Sequence, residues 1–187
     1  MKNQRGIEPI IGSSEIPAAI SLVKDVVEMP HHLVDTYLIS KKWEAVPVQS
    51  ASHFNKKDAE LLAKAAHFFQ TTECIAVATE QLENMTSSYR VEMTQDGLLQ
   101  FSQECAHFNF VLAPEILTFV ILCTVEDYYL VAGPPEFVTR ALGMSIKDAR
   151  EEFLAFANDK YWSASVRKNL RSVAKRYDPL KKVKDSR

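Results

Sequence analysis

Two apolar runs, residues 117–124 and 128–132, are joined through Glu126-Asp127, and that short link constrains the fold more than any other feature. The first run is dense in β-branched and aromatic residues, as a central strand would be. A parallel return would need a crossover of about a dozen residues, so the two runs can pair only antiparallel. Upstream, Phe108, Phe110 and Leu112 alternate towards Ala113-Pro114-Glu115, which ends another strand. Ile75, Val77 and Thr79 alternate with smaller or polar residues, and Tyr89, Val91 and Met93 alternate with Arg90, Glu92 and Thr94. Asp96-Gly97 is a dipeptide that accepts positive φ, and Leu99 and Phe101 resume the alternation beyond it, which predicts a hairpin. A helix over residues 95–106 competes there, because Leu98, Leu99, Ser102 and Cys105 also fit helical spacing. The middle of the chain therefore reads as an antiparallel β-meander of five or six strands.

Helical periodicity flanks it. Ser14 is placed to cap a helix with Ile16, Ile20, Val23 and Val27 on one face and Pro17 in its first turn. Pro30 opens a second segment with Leu33, Val34, Tyr37 and Leu38, and Trp43 with Val46-Pro47-Val48 reads as a packed connector. Asn55 followed by Asp58 resembles a capping box, with Leu61, Leu62, Ala65, Phe68 and Phe69 behind it, predicting a helix over 56–70. After the meander, Gly133-Pro134-Pro135 stops the last strand, and a short helix ends at Leu142 with Gly143 as a left-handed cap. Ser145 and Asp148 begin a helix that sends Ile146, Ala149, Phe153, Phe156 and Ala157 inwards. A last helix over 163–177 aligns Val166, Leu170, Val173 and Tyr177. With no repeat and no long linker, residues 1–187 are expected to form a single α+β domain, helices packed on one face of an antiparallel sheet.

A length of 187 residues, 47% hydrophobic, suffices for a full core and excludes a disordered chain. Five Gly and eight Pro exclude a collagen-like one. No apolar stretch approaches the roughly 20 residues of a spanning helix, and the first residues lack the apolar core of a secretory signal. Cys74, Cys105 and Cys123, odd in number and set among apolar neighbours, suit free thiols in the cytoplasm better than a disulfide framework.

Charge is unevenly distributed. Residues 161–187 hold nine Lys or Arg against two Asp, a net +7, whereas the preceding 160 residues sum to −9. On the last helix Arg167, Lys168, Arg171 and Lys175 fall off the apolar stripe, and Arg176, Lys181 and Lys182 follow. The simplest reading is a helix docked on its own acidic body with a solvated tail. A protein partner's acidic surface or groove is the first functional reading, nucleic-acid phosphates the second. An anionic membrane fits poorly, because the apolar edge is narrow and lacks Trp or Phe.

Catalytic signatures are sparse. Cys105 and His107 are two residues apart, so on a strand a thiol and an imidazole would share a face. A structural zinc site wants four such ligands in spaced pairs, and His31, His32, His53, His67, Cys74 and Cys123 do not supply them. A cysteine nucleophile would also need a stabilised thiolate and an oxyanion hole, which no local pattern indicates. The carboxylate pairs Glu80/Glu83, Glu126/Asp127 and Glu151/Glu152 sit where turns or solvated helix faces expect them. Tyr128, Tyr129 and Phe137 are placed to line a pocket at the strand-to-helix corner, though core packing explains them more simply. No phosphate-cradling glycine loop, no G-x-S-x-G and no H-E-x-x-H is present. The expectation is a non-enzymatic binding or regulatory domain that contacts a protein partner or a second copy of itself, without metal or cofactor. The alternatives are a ligand-binding protein or enzyme using Cys105 and His107, and a nucleic-acid binder.

Overall fold

A computed structural model describes residues 6–12, 14–28, 31–51, 53–80 and 86–178. The chain enters as strand β1 (Ile7–Pro9), helix α1 (Glu15–Val23), a two-strand ribbon of β2 (Val27–Glu28) and β3 (His32–Leu33), and helix α2 (Asp35–Lys41). Strand β4 (Glu44–Gln49), helix α3 (Lys56–Phe68), strands β5 (Glu73–Ala78) and β6 (Ser88–Glu92) and helix α4 (Gln95–Cys105) follow. Strands β7 (Phe110–Ala113), β8 (Val120–Cys123) and β9 (Tyr128–Gly133) then lead to helices α5 (Pro135–Leu142), α6 (Ile146–Ala157) and α7 (Ala164–Arg176).

The main sheet is antiparallel throughout, in the order β1-β6-β5-β7-β8-β9-β4. The α+β class and the β7-β8-β9 meander are as the short links require, and among the described residues the sheet has seven strands rather than five or six. The additional strands come from the N-terminal third. Residues 46–48, read as a connector, belong to β4, where Pro47 is tolerated because β4 is an edge strand. β1 is the other edge.

The expectation of helices on one face is corrected. Strands β7, β8 and β9 are buried on both sides, so each face carries its own core. Ala76, Leu112, Ile121, Tyr129 and Val131 face Leu62, Phe101 and Phe137 from α3, α4 and α5. Ile75, Val111, Leu122 and Leu130 face Ala19, Leu38, Phe153 and Leu170 from α1, α2, α6 and α7. The helices from the two ends of the chain thus form one layer, and the middle helices form the other. Helix α6 runs along β4 and contributes Ala149 to the first core and Phe153 to the second. Arg150 Nη2 reaches Glu44 at 2.6 Å and donates to the Ala45 carbonyl at 3.3 Å, which ties α6 to the β4 edge.

Local corrections have local causes. Helix α1 ends at Val23, and Val27 lies in β2. Ser14 makes no side-chain cap, and Ile20 is 47% exposed while Ala19 and Val23 are buried. Pro30 lies outside the described residues. The predicted hairpin at Asp96-Gly97 is instead helix α4, begun by Thr94, whose hydroxyl accepts the Gly97 N–H at 3.0 Å. Its buried face is Leu98, Phe101, Ser102 and Cys105. Gly97 is needed for closeness rather than for a turn: a Cβ there would stand 2.4 Å from the Glu92 carbonyl oxygen and 3.1 Å from that of Gly6.

Candidate functional site

The strand that would place Cys105 and His107 on one face does not exist. Cys105 is the last residue of α4, and its buried thiol is pushed up to about 12, by burial first and the nearby Glu104 charge second. It is therefore protonated at neutral pH. His107 is exposed in the turn beyond. The histidine that meets Cys105 is His53, whose Nε2 lies 3.0 Å from the Cys105 carbonyl oxygen and whose ring stacks on Phe101 at 5.7 Å. His53 is 1% exposed and has a positive φ of 43°. Among the described residues no three His, Cys, Asp or Glu side chains are grouped to hold a metal, and no helix is long and apolar enough to cross a membrane.

The arginines of α7 are occupied within the chain. Arg167 Nη1 donates to the Trp162 carbonyl at 2.7 Å, and Arg171 Nε donates to Asn158 Oδ1 at 2.7 Å. Arg176 reaches Glu28 at 2.9 Å and Asp35 at 3.8 Å, beside a bond from the Leu33 N–H to the Tyr177 hydroxyl at 3.0 Å. Lys168 and Lys175 are exposed. Lys181 and Lys182, like Glu83, lie outside the described residues.

A cleft of about 390 Å³ opens where β4, the start of α3, the α5–α6 turn and α6 meet. Local sequence sets its walls. Asn55 Oδ1 accepts the Asp58 N–H at 2.9 Å and starts α3. Gly143 (φ 64°) closes α5, and Ser145 Oγ accepts the Asp148 N–H at 3.1 Å to start α6. Three polar groups converge inside. The Asp58 pKa is raised from the ordinary aspartate value chiefly by burial, opposed by the Asn55 N–H, the Tyr129 hydroxyl and Lys57, with Glu152 adding like-charge repulsion. Tyr129, 1% exposed and paired with Val48 across β4–β9, carries its hydroxyl to that carboxylate. Its own pKa is raised by burial and then by the Asp58 charge. Glu152 stands on α6 at the junction with a second, more open hollow of about 470 Å³, which shares Gln49 and Glu152 with the first. Phe156, Asp159, Tyr161 and Trp162 line that second part. Trp162 meets Phe156 edge-on at 5.3 Å, and Tyr161 is 86% exposed.

The linings of these two adjoining hollows beside α6 together carry Asp58, Glu152 and Asp159, with Lys57 the one cation among the described lining residues. Such a surface attracts cations and lays methylene stems on apolar walls. Sequence reasoning assigned Asp58 to a helix cap, Glu152 to a solvated face and Tyr129 to packing. Each assignment holds locally, but only the pairing of β4 with β9 and the lie of α6 bring the three together. The chain matches no protein-family model, no curated protein and no solved structure.

Proposed function

We propose that this chain is a non-enzymatic binding domain whose groove along α6 receives a basic segment of a protein partner. The observation that carries the reading is that two adjoining hollows share Gln49 and Glu152 and between them hold three carboxylates with Tyr161 and Trp162. A cationic side chain gains there from both charge and ring faces. Buried free thiols at Cys74, Cys105 and Cys123 support a reducing compartment, the cytoplasm, as its place of work. The buried, protonated Cys105 and the exposed His107 support binding over nucleophilic catalysis.

A second reading rests on α7, where Lys168 and Lys175 are exposed on a helix that leads into the basic tail. There the partner would be acidic. Fluorescence anisotropy with matched basic and acidic peptides separates the two. The groove reading expects the basic set to bind and Glu152→Lys with Asp159→Lys to abolish that binding, while Lys168→Glu with Lys175→Glu leaves it unchanged. Binding of the acidic set, lost on reversing the two lysines, would transfer the function to α7. Binding of random-sequence DNA that collapses with salt would transfer it to nucleic acid.

A further inference from the structure

The second hollow differs in kind from the first, because aromatic rings supply its walls. Phe156 comes from the last turn of α6, and Tyr161 and Trp162 from the turn that leads into α7. The Phe156 and Trp162 rings lie 5.3 Å apart at 84°, so their planes bound a corner rather than a flat stack. Trp162 is anchored by packing against the core on that side, whereas Tyr161 is the most exposed large apolar side chain among the described residues.

The turn that carries the two rings is fixed. The Tyr161 N–H donates to Asp159 Oδ1 at 2.9 Å, and the Trp162 N–H to the Asp159 carbonyl at 3.2 Å. From α7, Arg167 Nη1 donates to the Lys160 and Trp162 carbonyls, and Arg171 Nε to Asn158 Oδ1 at the end of α6. Rings presented on so constrained a backbone lose little freedom when a ligand arrives. Charge selects what they meet. Glu152 and Asp159 stand in the lining, and among the described residues no Lys or Arg does. Ring faces attract cations, and Lys160 already sets its ammonium 5.7 Å from the centre of the Tyr161 ring. Lys160 is exposed, so that contact is weak and yields to a better desolvated cation.

We propose that the hollow at the end of α6 binds a trimethylammonium group, carried by an Nε-methylated lysine of a protein partner, with Phe156, Tyr161 and Trp162 as ring faces and Glu152 and Asp159 as counter-charges. The class of cation follows from the acceptors on offer. Asp159 Oδ1 is committed to the Tyr161 N–H, and ring faces accept no strong hydrogen bond. An unmodified ammonium, strongly hydrated and with three N–H bonds to satisfy, loses more water here than it regains in bonds. A trimethylated one has no N–H to satisfy and lays its charged methyl groups against the rings. The inference rests on the groove reading, for which it names the anchor as a methylated lysine of the basic segment.

The test is an NMR titration of the full chain that follows the two indole N–H signals. Trp162 lines the hollow, and Trp43 packs elsewhere, against Tyr37 at 5.5 Å. The probes are choline, whose headgroup is the trimethylammonium itself, and 3,3-dimethyl-1-butanol, its neutral carbon isostere. The expected result is saturable shifts at Trp162 and Tyr161 with choline, none at Trp43, and weaker or no shifts with the alcohol. Tyr161→Leu is expected to weaken choline binding severalfold to about thirtyfold, the range of a cation–π contact, while Tyr161→Phe keeps it. Tyr161 has almost no packing to lose, so neither variant endangers the fold. Glu152→Gln weakens binding severalfold, whereas Glu151→Gln, an equal charge change one position away, does not. One basic peptide in unmodified and trimethyl-lysine forms then tests the occupant. Binding of the trimethylated form that is tighter by about fivefold or more, and lost in Tyr161→Leu, supports the anchor. Equal shifts with the alcohol, or full choline binding by Tyr161→Leu, overturn the site. If both peptide forms bind alike, the anchor fails and the groove reading stands. If neither peptide binds, both fail, and choline binding alone would then assign the hollow to a small quaternary amine.

Discussion

His53 shows how much a single side chain carries in this molecule. It is buried, it holds a left-handed backbone, and burial lowers its pKa below the ordinary histidine value, with His107 adding repulsion and the Cys105 and Phe108 backbone opposing. The folded state therefore binds fewer protons than the unfolded one below the unfolded pKa of about 6.5, so stability is full above that pH and falls as pH drops through it towards the folded value. His32, also lowered chiefly by burial, contributes in the same direction. Urea midpoints taken at a series of pH values should decline below about 6.5, and His53→Asn, which accepts the left-handed backbone, should flatten that decline relative to the parent. An unchanged slope in the variant would show that His53 does not titrate between the two states. Cys105 supports a parallel expectation: with its thiol at about 12, native alkylation should be slow and should quicken only in denaturant, as read by mass spectrometry.

Helices and strands were legible where their signals are local. The caps at Asn55, Ser145 and Gly143 each complete a bond or backbone state within a few residues, and the structure reproduces all three. Residues 95–106 are ambiguous because Leu99 and Phe101 alternate as in a strand while Leu98, Leu99, Ser102 and Cys105 keep helical spacing. The tie is broken by the crossing of residue 6 over the start of α4, a contact between positions far apart in the chain. Gly97→Ala accordingly tests the element as built. A Cβ at that position has no room, so the substitution should destabilise by about 1–3 kcal/mol, as overpacking does. The hairpin reading would have predicted damage from strain at positive φ, a conformation that Gly97 does not adopt. β4 escaped notice for a related reason: Pro47 suits only an edge, and edge status is a property of the assembled sheet.

One main sheet divides two cores in this molecule, and the expectation is that both unfold in one transition. Trp43 and Trp162 both pack against the core on the α1–α7 side. Leu112 lies in the opposite core and Leu122 in the same one, each with no exposed surface. Leu112→Ala and Leu122→Ala should each cost about 2–5 kcal/mol, and both should move the tryptophan-fluorescence transition. A Leu112→Ala variant that lost helicity before its tryptophan signal changed would show that the two layers unfold separately. The candidate groove belongs to this scale too. Residues 49, 58, 129 and 152 are far apart in sequence, and no pattern of spacing could have joined them.

The strand order has a further consequence during synthesis. β4 leaves the ribosome early, yet its one neighbour in the sheet among the described residues begins at Tyr128. At about 5–20 residues per second, that interval is on the order of ten seconds. Throughout it, Ala45 and Val46, which are buried on opposite faces in the finished protein, have no sheet to join. The nascent N-terminal third therefore carries an unpaired apolar strand for far longer than its own helices need to form.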